Sequence, residues 1–155
     1  MSFKLNNMNT TDKPTLQDFH IEGVKHISPS NAYDLLIKGE AVFIDVRETS
    51  EVELESIPLD RVLSHPMSVI MDRLPYISKD QNIILVCPGG GRSTRVANLL
   101  NIQGYPNLAN LDGGLTMWKA KGFPFESNLS FSGTCSCGTS LKADNSTTNN
   151  EKACC

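Results

Sequence analysis

Residues 82–93 read Asn82-Ile83-Ile84-Leu85-Val86-Cys87-Pro88-Gly89-Gly90-Gly91-Arg92-Ser93, and this stretch decides the fold class. Ile83 to Val86 is an unbroken apolar run rich in β-branched residues. Such a run marks a strand buried on both faces, as in a parallel sheet covered by helices. Pro88 and three glycines break the pattern, and beyond Ser93 the residues Val96, Leu99 and Leu100 recur at helical spacing until Gly104 and Pro106 stop the helix. The order is strand, tight loop, helix, with Cys87 where strand gives way to loop. Open α/β domains bind their ligands at that carboxyl edge of the sheet.

Working outward, Ala41-Val42-Phe43-Ile44-Asp45-Val46 is a second buried strand and Val24 to Ile27 a short one. Ser28 can cap a helix that has Pro29 at its first position and Ala32, Leu35 and Leu36 on its inner face, with Gly39 as a left-handed stop. Glu48 to Glu55 predicts a short exposed helix, and Ser68 to Leu74 another, closed by Pro75. Leu108 to Leu111 reads as a strand, followed by Asp112-Gly113-Gly114 and a helix carrying Leu115 and Trp118. Alternation of strand and helix predicts an α/β layered domain with a largely parallel sheet over residues 23–126. Residues 1–22, rich in Asn and Thr without a sustained period, are expected to be a flexible leader. Residues 127–155, turning to Ser, Thr, Asn and Cys, are expected to be a flexible tail.

The 155 residues suit one domain with tails. Hydrophobic residues are 39% and charged residues 20%, which is the composition of a globular chain. A formal net charge of −3 and no Lys/Arg stripe argue against a nucleic-acid partner. No apolar run reaches membrane-spanning length and the first residues lack a signal-peptide core, so no membrane partner and a cytoplasmic location are expected. The five cysteines are odd in number and four crowd into the last stretch, which is not the pattern of a disulfide scaffold.

Three successive glycines permit left-handed torsions that turn backbone amides inward around one small anion or one charged sulfur. Pro88 has no N–H and cannot join them. The next helix aims its N-terminal amides at the same place and Arg92 adds a permanent positive charge, so Cys87 is expected to be a nucleophile. A lone cysteine ending a core strand is commonly a packing residue only; the glycine loop and Arg92 argue for more. Arg92 can equally be a structural charge held by a carboxylate, with Asp45 as the candidate.

Four pieces in order resemble the rhodanese family of sulfurtransferases: Ile27-Ser28-Pro29 opening a helix, Ile44-Asp45-Val46-Arg47-Glu48, the loop Cys87 to Ser93, and Leu111-Asp112-Gly113-Gly114 with Trp118 four residues on. The resemblance implies a three-layer α/β domain around a mostly parallel five-stranded sheet. It implies ping-pong transfer of a sulfane sulfur carried as a Cys87 persulfide, with no cofactor and no metal. Gly89, Gly90, Gly91, Arg92 and Ser93 would bind the transferred sulfur through their amides. The donor would be thiosulfate or another persulfide, and the acceptor a thiol, cyanide or a protein. In this family Asp45 and Arg47 are scaffold residues, and Asp112 is expected to fix its own turn.

Two departures from the family pattern carry information. Glu55-Ser56 stand where a Gly-His pair commonly precedes Ile57-Pro58. Loop positions 88, 89 and 91 are Pro, Gly and Gly instead of polar or basic residues, so only Arg92 is left to grip a free anion and thiosulfate is expected to be a poor donor. Related phosphatases and arsenate reductases place five residues between Cys and Arg; here four intervene, which favours sulfur transfer. Cys135, Cys137, Cys154 and Cys155 are candidates to relay sulfur, to resolve an oxidised Cys87 or to hold a soft metal, although no spacing is diagnostic of zinc. About ten extended residues span roughly 30 Å, so such a tail can reach the loop. The competing readings are a rhodanese-like interaction module without turnover, and a redox or metal sensor acting through the tail.

Overall fold

A computed structural model describes residues 8–128. Its central sheet contains β1 (Thr10–Thr11), β2 (His26–Ile27), β3 (Val42–Asp45), β5 (Val62–Ser64), β6 (Ile83–Val86) and β7 (Leu108–Leu111). They lie in the order β1-β2-β7-β6-β3-β5. The five strands from β2 to β5 in that order are mutually parallel, as the family resemblance implies. Of these five, β5 falls in a region with no strand pattern. It is an edge strand with two exposed residues of three, so burial imposes no period on it.

The sixth strand, β1, pairs antiparallel with β2 and corrects the expectation of a loose leader. Residues 8–22 are tied to the domain. Their partners lie far away in sequence, Asp112 for Thr15 and Leu16, and Gly90 for Gln17, and local pattern cannot register such contacts. At the other end β8 (Glu126–Ser127) pairs with β4 (Glu55–Ser56), and Asn128 N–H donates to the Leu54 carbonyl. Beyond Asn128 lie the four tail cysteines, outside the described residues.

Alternation along the strands divides the core into two layers. Val42, Ile44 and Val46 of the β3 run and Ile83, Leu85 and Cys87 of the β6 run face one side, with Val96, Ala97 and Leu100 of α4 (Gly91–Ile102). Phe43, Ile84 and Val86 face the other, against Ala32, Leu35 and Leu36 of α1 (Pro29–Ile37) and Leu115 and Trp118 of α5 (Gly114–Ala120). Period two therefore decides that the Cys87 side chain points toward α4 and not toward α5. Ser28 caps α1 through its hydroxyl, and Gly39 takes φ 70° behind it. The exposed helix after β3 is α2 (Thr49–Leu54). The second short helix is broken instead of continuous. One turn of 3₁₀ leads into α3 (Ile70–Arg73), and Pro75 sits inside a further 3₁₀ turn, at a first-turn position where its missing N–H costs nothing.

No helix among the described residues is long and apolar enough to cross a membrane. Trp118 is completely buried in the layer that holds α1 and α5. It packs edge-on against Phe43 and Tyr33, lies against Phe123, and donates from Nε1 to the Pro124 carbonyl at 2.8 Å. Truncation there removes a large buried ring and leaves that carbonyl without its donor. Trp118→Ala is expected to lower the unfolding free energy by about 3–5 kcal/mol, measured by urea denaturation.

Candidate active site

Cys87 follows β6 directly, and Pro88 turns the chain out of the sheet. The loop is carried by the next unit along. Leu115 N–H donates to the Cys87 carbonyl at 2.9 Å, and Thr116 donates to the Pro88 carbonyl from both its N–H at 3.0 Å and its hydroxyl at 2.9 Å. The opening amides of α5, which have no partner inside their own helix, are thus satisfied by the backbone of the cysteine loop.

This docking requires the Asp-Gly-Gly motif. Gly114 adopts φ 61°, and a Cβ there would collide with the Cys87 carbonyl oxygen while standing 2.6 Å from that of Pro88 and 2.8 Å from Gly90 N. In the loop itself only Gly90 is left-handed, with φ 90°, and a side chain on it would run into the Gln17 carboxamide. Gly89 and Gly91 have ordinary torsions and open space around them.

The sulfur is enclosed, with Cys87 only 1% exposed. Gly90 N–H approaches Sγ at 3.1 Å, Ser93 N–H at 3.3 Å, and the Ser93 hydroxyl at 3.1 Å. Gly90 and Ser93 are three positions apart and so share one side of the first helical turn. The N–H groups of Gly89, Gly91 and Arg92 make no hydrogen bond to the sulfur, so of the five expected loop residues two present their amides to it.

Arg92 is held by a carboxylate, but by Glu51 of α2 and not by Asp45. Nη1 and Nη2 each lie 2.8 Å from a different Glu51 oxygen, the fork geometry that suits a guanidinium. The bond to Arg92 holds the Glu51 carboxyl at about 2, well below its ordinary 4.5, so the pair stays charged at any working pH. Glu51 is itself fixed by a capping box with Glu48. Asp45 is unavailable because Arg47 takes it, from its N–H, Nε and Nη2, in a fully buried pair. Arg47 Nη2 also donates to the Glu55 carbonyl at 2.8 Å. Asp112 does not fix its own turn: its carboxylate accepts from Thr15 N–H at 2.8 Å, the Thr15 hydroxyl at 3.1 Å and Leu16 N–H at 3.0 Å.

Gln17, His26, Glu51 and Asn110 complete the site and lie outside the residues the motifs predict. Asn110 carries a legible signal, since an amide within the apolar run Leu108 to Leu111 must find buried partners. Gln17 carries none, being 73 residues from Gly90. The tail cysteines Cys135, Cys137, Cys154 and Cys155 fall outside the described residues.

A parallel α/β sheet whose central strand ends in an enclosed cysteine, cradled by amides of the following helix, defines an α/β protein with a cysteine-centred site at the carboxyl edge. Comparison with known families matches residues 10–121 to the rhodanese-like domain, and the chain belongs to that family. The matched span includes β1 and the segment carrying Gln17. The chain is 33% identical over 85 residues to a sulfurtransferase of Allochromatium vinosum, covering 55% of this chain and 78% of that one. It is 34% identical over 96 residues to the thiosulfate sulfurtransferase GlpE of Pseudoalteromonas translucida, covering 62% and 90%. Among solved structures, a rhodanese-related protein of Thermoplasma volcanium superposes with a TM-score of 0.59 at 26% identity, over 65% of this chain and 96% of that one.

Gly114→Ala is expected to lower the unfolding free energy by about 2–4 kcal/mol, through left-handed strain and collision with loop backbone. Gly89→Ala, facing open space, should change it by less than about 0.5 kcal/mol. Parallel urea titrations of the two variants give the comparison.

Proposed function

We propose that the chain is a sulfurtransferase that carries one sulfane sulfur on Cys87. The observation that carries this reading is the pair of N–H groups, from Gly90 and Ser93, aimed at Sγ in a loop with four residues between Cys87 and Arg92. Oriented amides in a water-poor recess stabilise negative charge on sulfur without reorganising. The first step is attack of the Cys87 sulfur, as thiolate, on the outer sulfur of a donor R–S–S⁻ or of thiosulfate. The donor S–S bond breaks, R–S⁻ or sulfite leaves with the electron pair, and Cys87–S–S⁻ forms. In the second step an acceptor thiolate or cyanide attacks the outer sulfur and Cys87 leaves as thiolate. The cycle needs neither an external oxidant nor a metal. In this reading the N–H groups of Gly91 and Arg92, in the first turn of α4, receive the added sulfur.

Donor preference follows from the arginine. A sulfonate oxygen of thiosulfate needs a cation, and the only one in the loop is already engaged bidentately by Glu51. A low-molecular-weight or protein persulfide, approaching over the bare Gly89 and Gly91, does not need that charge. Persulfides are therefore the preferred donors in this reading. The tail cysteines are candidate acceptors, since sulfur passing from Cys87 to a second cysteine is the same exchange within one chain.

Two measurements test the reading. Intact-mass analysis after exposure to a persulfide donor is expected to show one added sulfur atom in the parent and none in Cys87→Ser; a gain that survives the substitution places the carrier elsewhere. Glu51→Gln, which weakens the hold on Arg92, should lower the KM for thiosulfate by roughly three- to tenfold while leaving a persulfide donor, which has no sulfonate, little affected. An unchanged KM would remove the arginine from donor selection.

A further inference from the structure

Asn110 is completely buried in β7, beside His26 of β2, with its carboxamide between the cysteine loop and the N-terminal segment. The directions of its hydrogen bonds can be worked out from backbone groups, which cannot exchange donor and acceptor roles. Gln17 Oε1 accepts from Gly113 N–H at 3.0 Å, and Gln17 Nε2 donates to the Phe19 carbonyl at 2.8 Å and to the Gly90 carbonyl at 3.3 Å. Gln17 therefore has one orientation. The Asn110 atom 3.0 Å from Gln17 Oε1 must be the amide nitrogen, and it also donates to His26 Nδ1 at 3.0 Å. His26 then carries its proton on Nε2 and donates to His20 Nδ1 at 2.8 Å. Burial, and next His20, hold His26 below its ordinary 6.5, in keeping with an unprotonated Nδ1.

The remaining Asn110 atom, Oδ1, accepts the hydroxyl hydrogen of Ser93. A hydroxyl has one hydrogen to give. With it committed to Asn110, Ser93 Oγ turns a lone pair toward Cys87 Sγ, 3.1 Å away, and can only accept from the S–H.

We propose that Gln17 is a positioning residue for Cys87: through Asn110 it holds the Ser93 hydroxyl as an acceptor toward the sulfur, so that the hydroxyl opposes the thiolate which the Gly90 and Ser93 amides support. This rests on the reading of Cys87 as the nucleophile. Ionisation of Cys87 sets a Ser93 lone pair against a negative sulfur. Ser93 can relieve this by rotating to donate, but only by leaving the buried Asn110 Oδ1 without a donor. Loss of Gln17, whose orientation is the one fixed by backbone groups, leaves only His26 to hold the carboxamide; exchange of tautomers along the His26–His20 pair then lets Asn110 turn over and donate to Ser93, which donates to the sulfur and stabilises the anion.

The charged and titratable groups around the sulfur are otherwise committed. Arg92 of α4 is closed by Glu51 of α2, Asp45 by Arg47, Asp112 by Thr15 and Leu16, and His26 lies in a chain with His20, which approaches Glu22 at 3.7 Å.

The test is the pH dependence of Cys87 alkylation by iodoacetamide in the full chain, read on the Cys87 peptide by mass spectrometry so that the tail cysteines do not contribute. Gln17→Ala is expected to move the midpoint down by roughly half to one pH unit. Ser93→Ala should not raise it, and in the Ser93→Ala background the Gln17 substitution should have no further effect. A raised midpoint in Ser93→Ala means that the hydroxyl already donates to the sulfur in the parent and overturns the proposal. So does an unmoved midpoint in Gln17→Ala, or a shift that persists in the double variant. Ser93→Ala leaves the contacts of the N-terminal segment in place, so it decides the direction even if Gln17→Ala folds poorly. Because alkylation is read and not sulfur transfer, a chain that titrates as expected yet gains no sulfur counts against the proposed function alone.

Discussion

The carbonyl groups of Cys87 and Pro88 sit on the first free amides of α5, and the geometry around the sulfur depends on that contact. A strand end, a proline and three glycines would otherwise form a loop with many accessible shapes. Two fixed carbonyls orient the chain so that Gly90 and Ser93 come round to face Sγ. The contact demands a residue without Cβ at position 114, which is why a motif 27 positions after the cysteine belongs to the same site. The Asp-Gly-Gly sequence has two tasks here. Its Gly114 admits the loop from one side, and the Asp112 carboxylate holds the N-terminal segment from the other.

A second layer of constraint comes from charge pairing. Asp45 with Arg47 and Glu51 with Arg92 are neighbouring ion pairs of different character. The first is buried and closed within one strand end, and breaking it would strand a charge away from water. The second is about one-third exposed and links α2 to the helix that carries the amides. An exposed pair of this kind adds little stability. Its effect is geometric, since it fixes where the guanidinium stands relative to the sulfur.

How much of this was legible varies with the range of the interaction. The strands at Val42 to Asp45, Ile83 to Val86 and Leu108 to Leu111 are written in continuous apolar runs, and Ser28-Pro29 and Gly39 mark both ends of α1, because burial and capping act over a few residues. The cysteine loop is legible for the same reason. Edge strand β5 is not, since an exposed edge imposes no alternation. The choice of Glu51 over Asp45 for Arg92 depends on Arg47 having already taken Asp45, a competition that no motif records. Residues 8–22 look unstructured because their Asn and Thr side chains bury little, yet Thr15, Leu16 and Gln17 are fixed by polar contacts across the whole length of the domain.

Gly89, Gly90, Gly91 and Gly114, the glycines in or against the cysteine loop, divide into two kinds. Gly90 and Gly114 are demanded by torsion and contact, and no other residue can occupy those positions without remaking the loop. Gly89 and Gly91 are demanded by neither, for their torsions are open to any residue and nothing stands near them. Side chains can thus be added at positions 89 and 91 while Gly90 and Gly114 keep the form of the loop. The loop thereby keeps two positions open to substitution beside two that are closed to it.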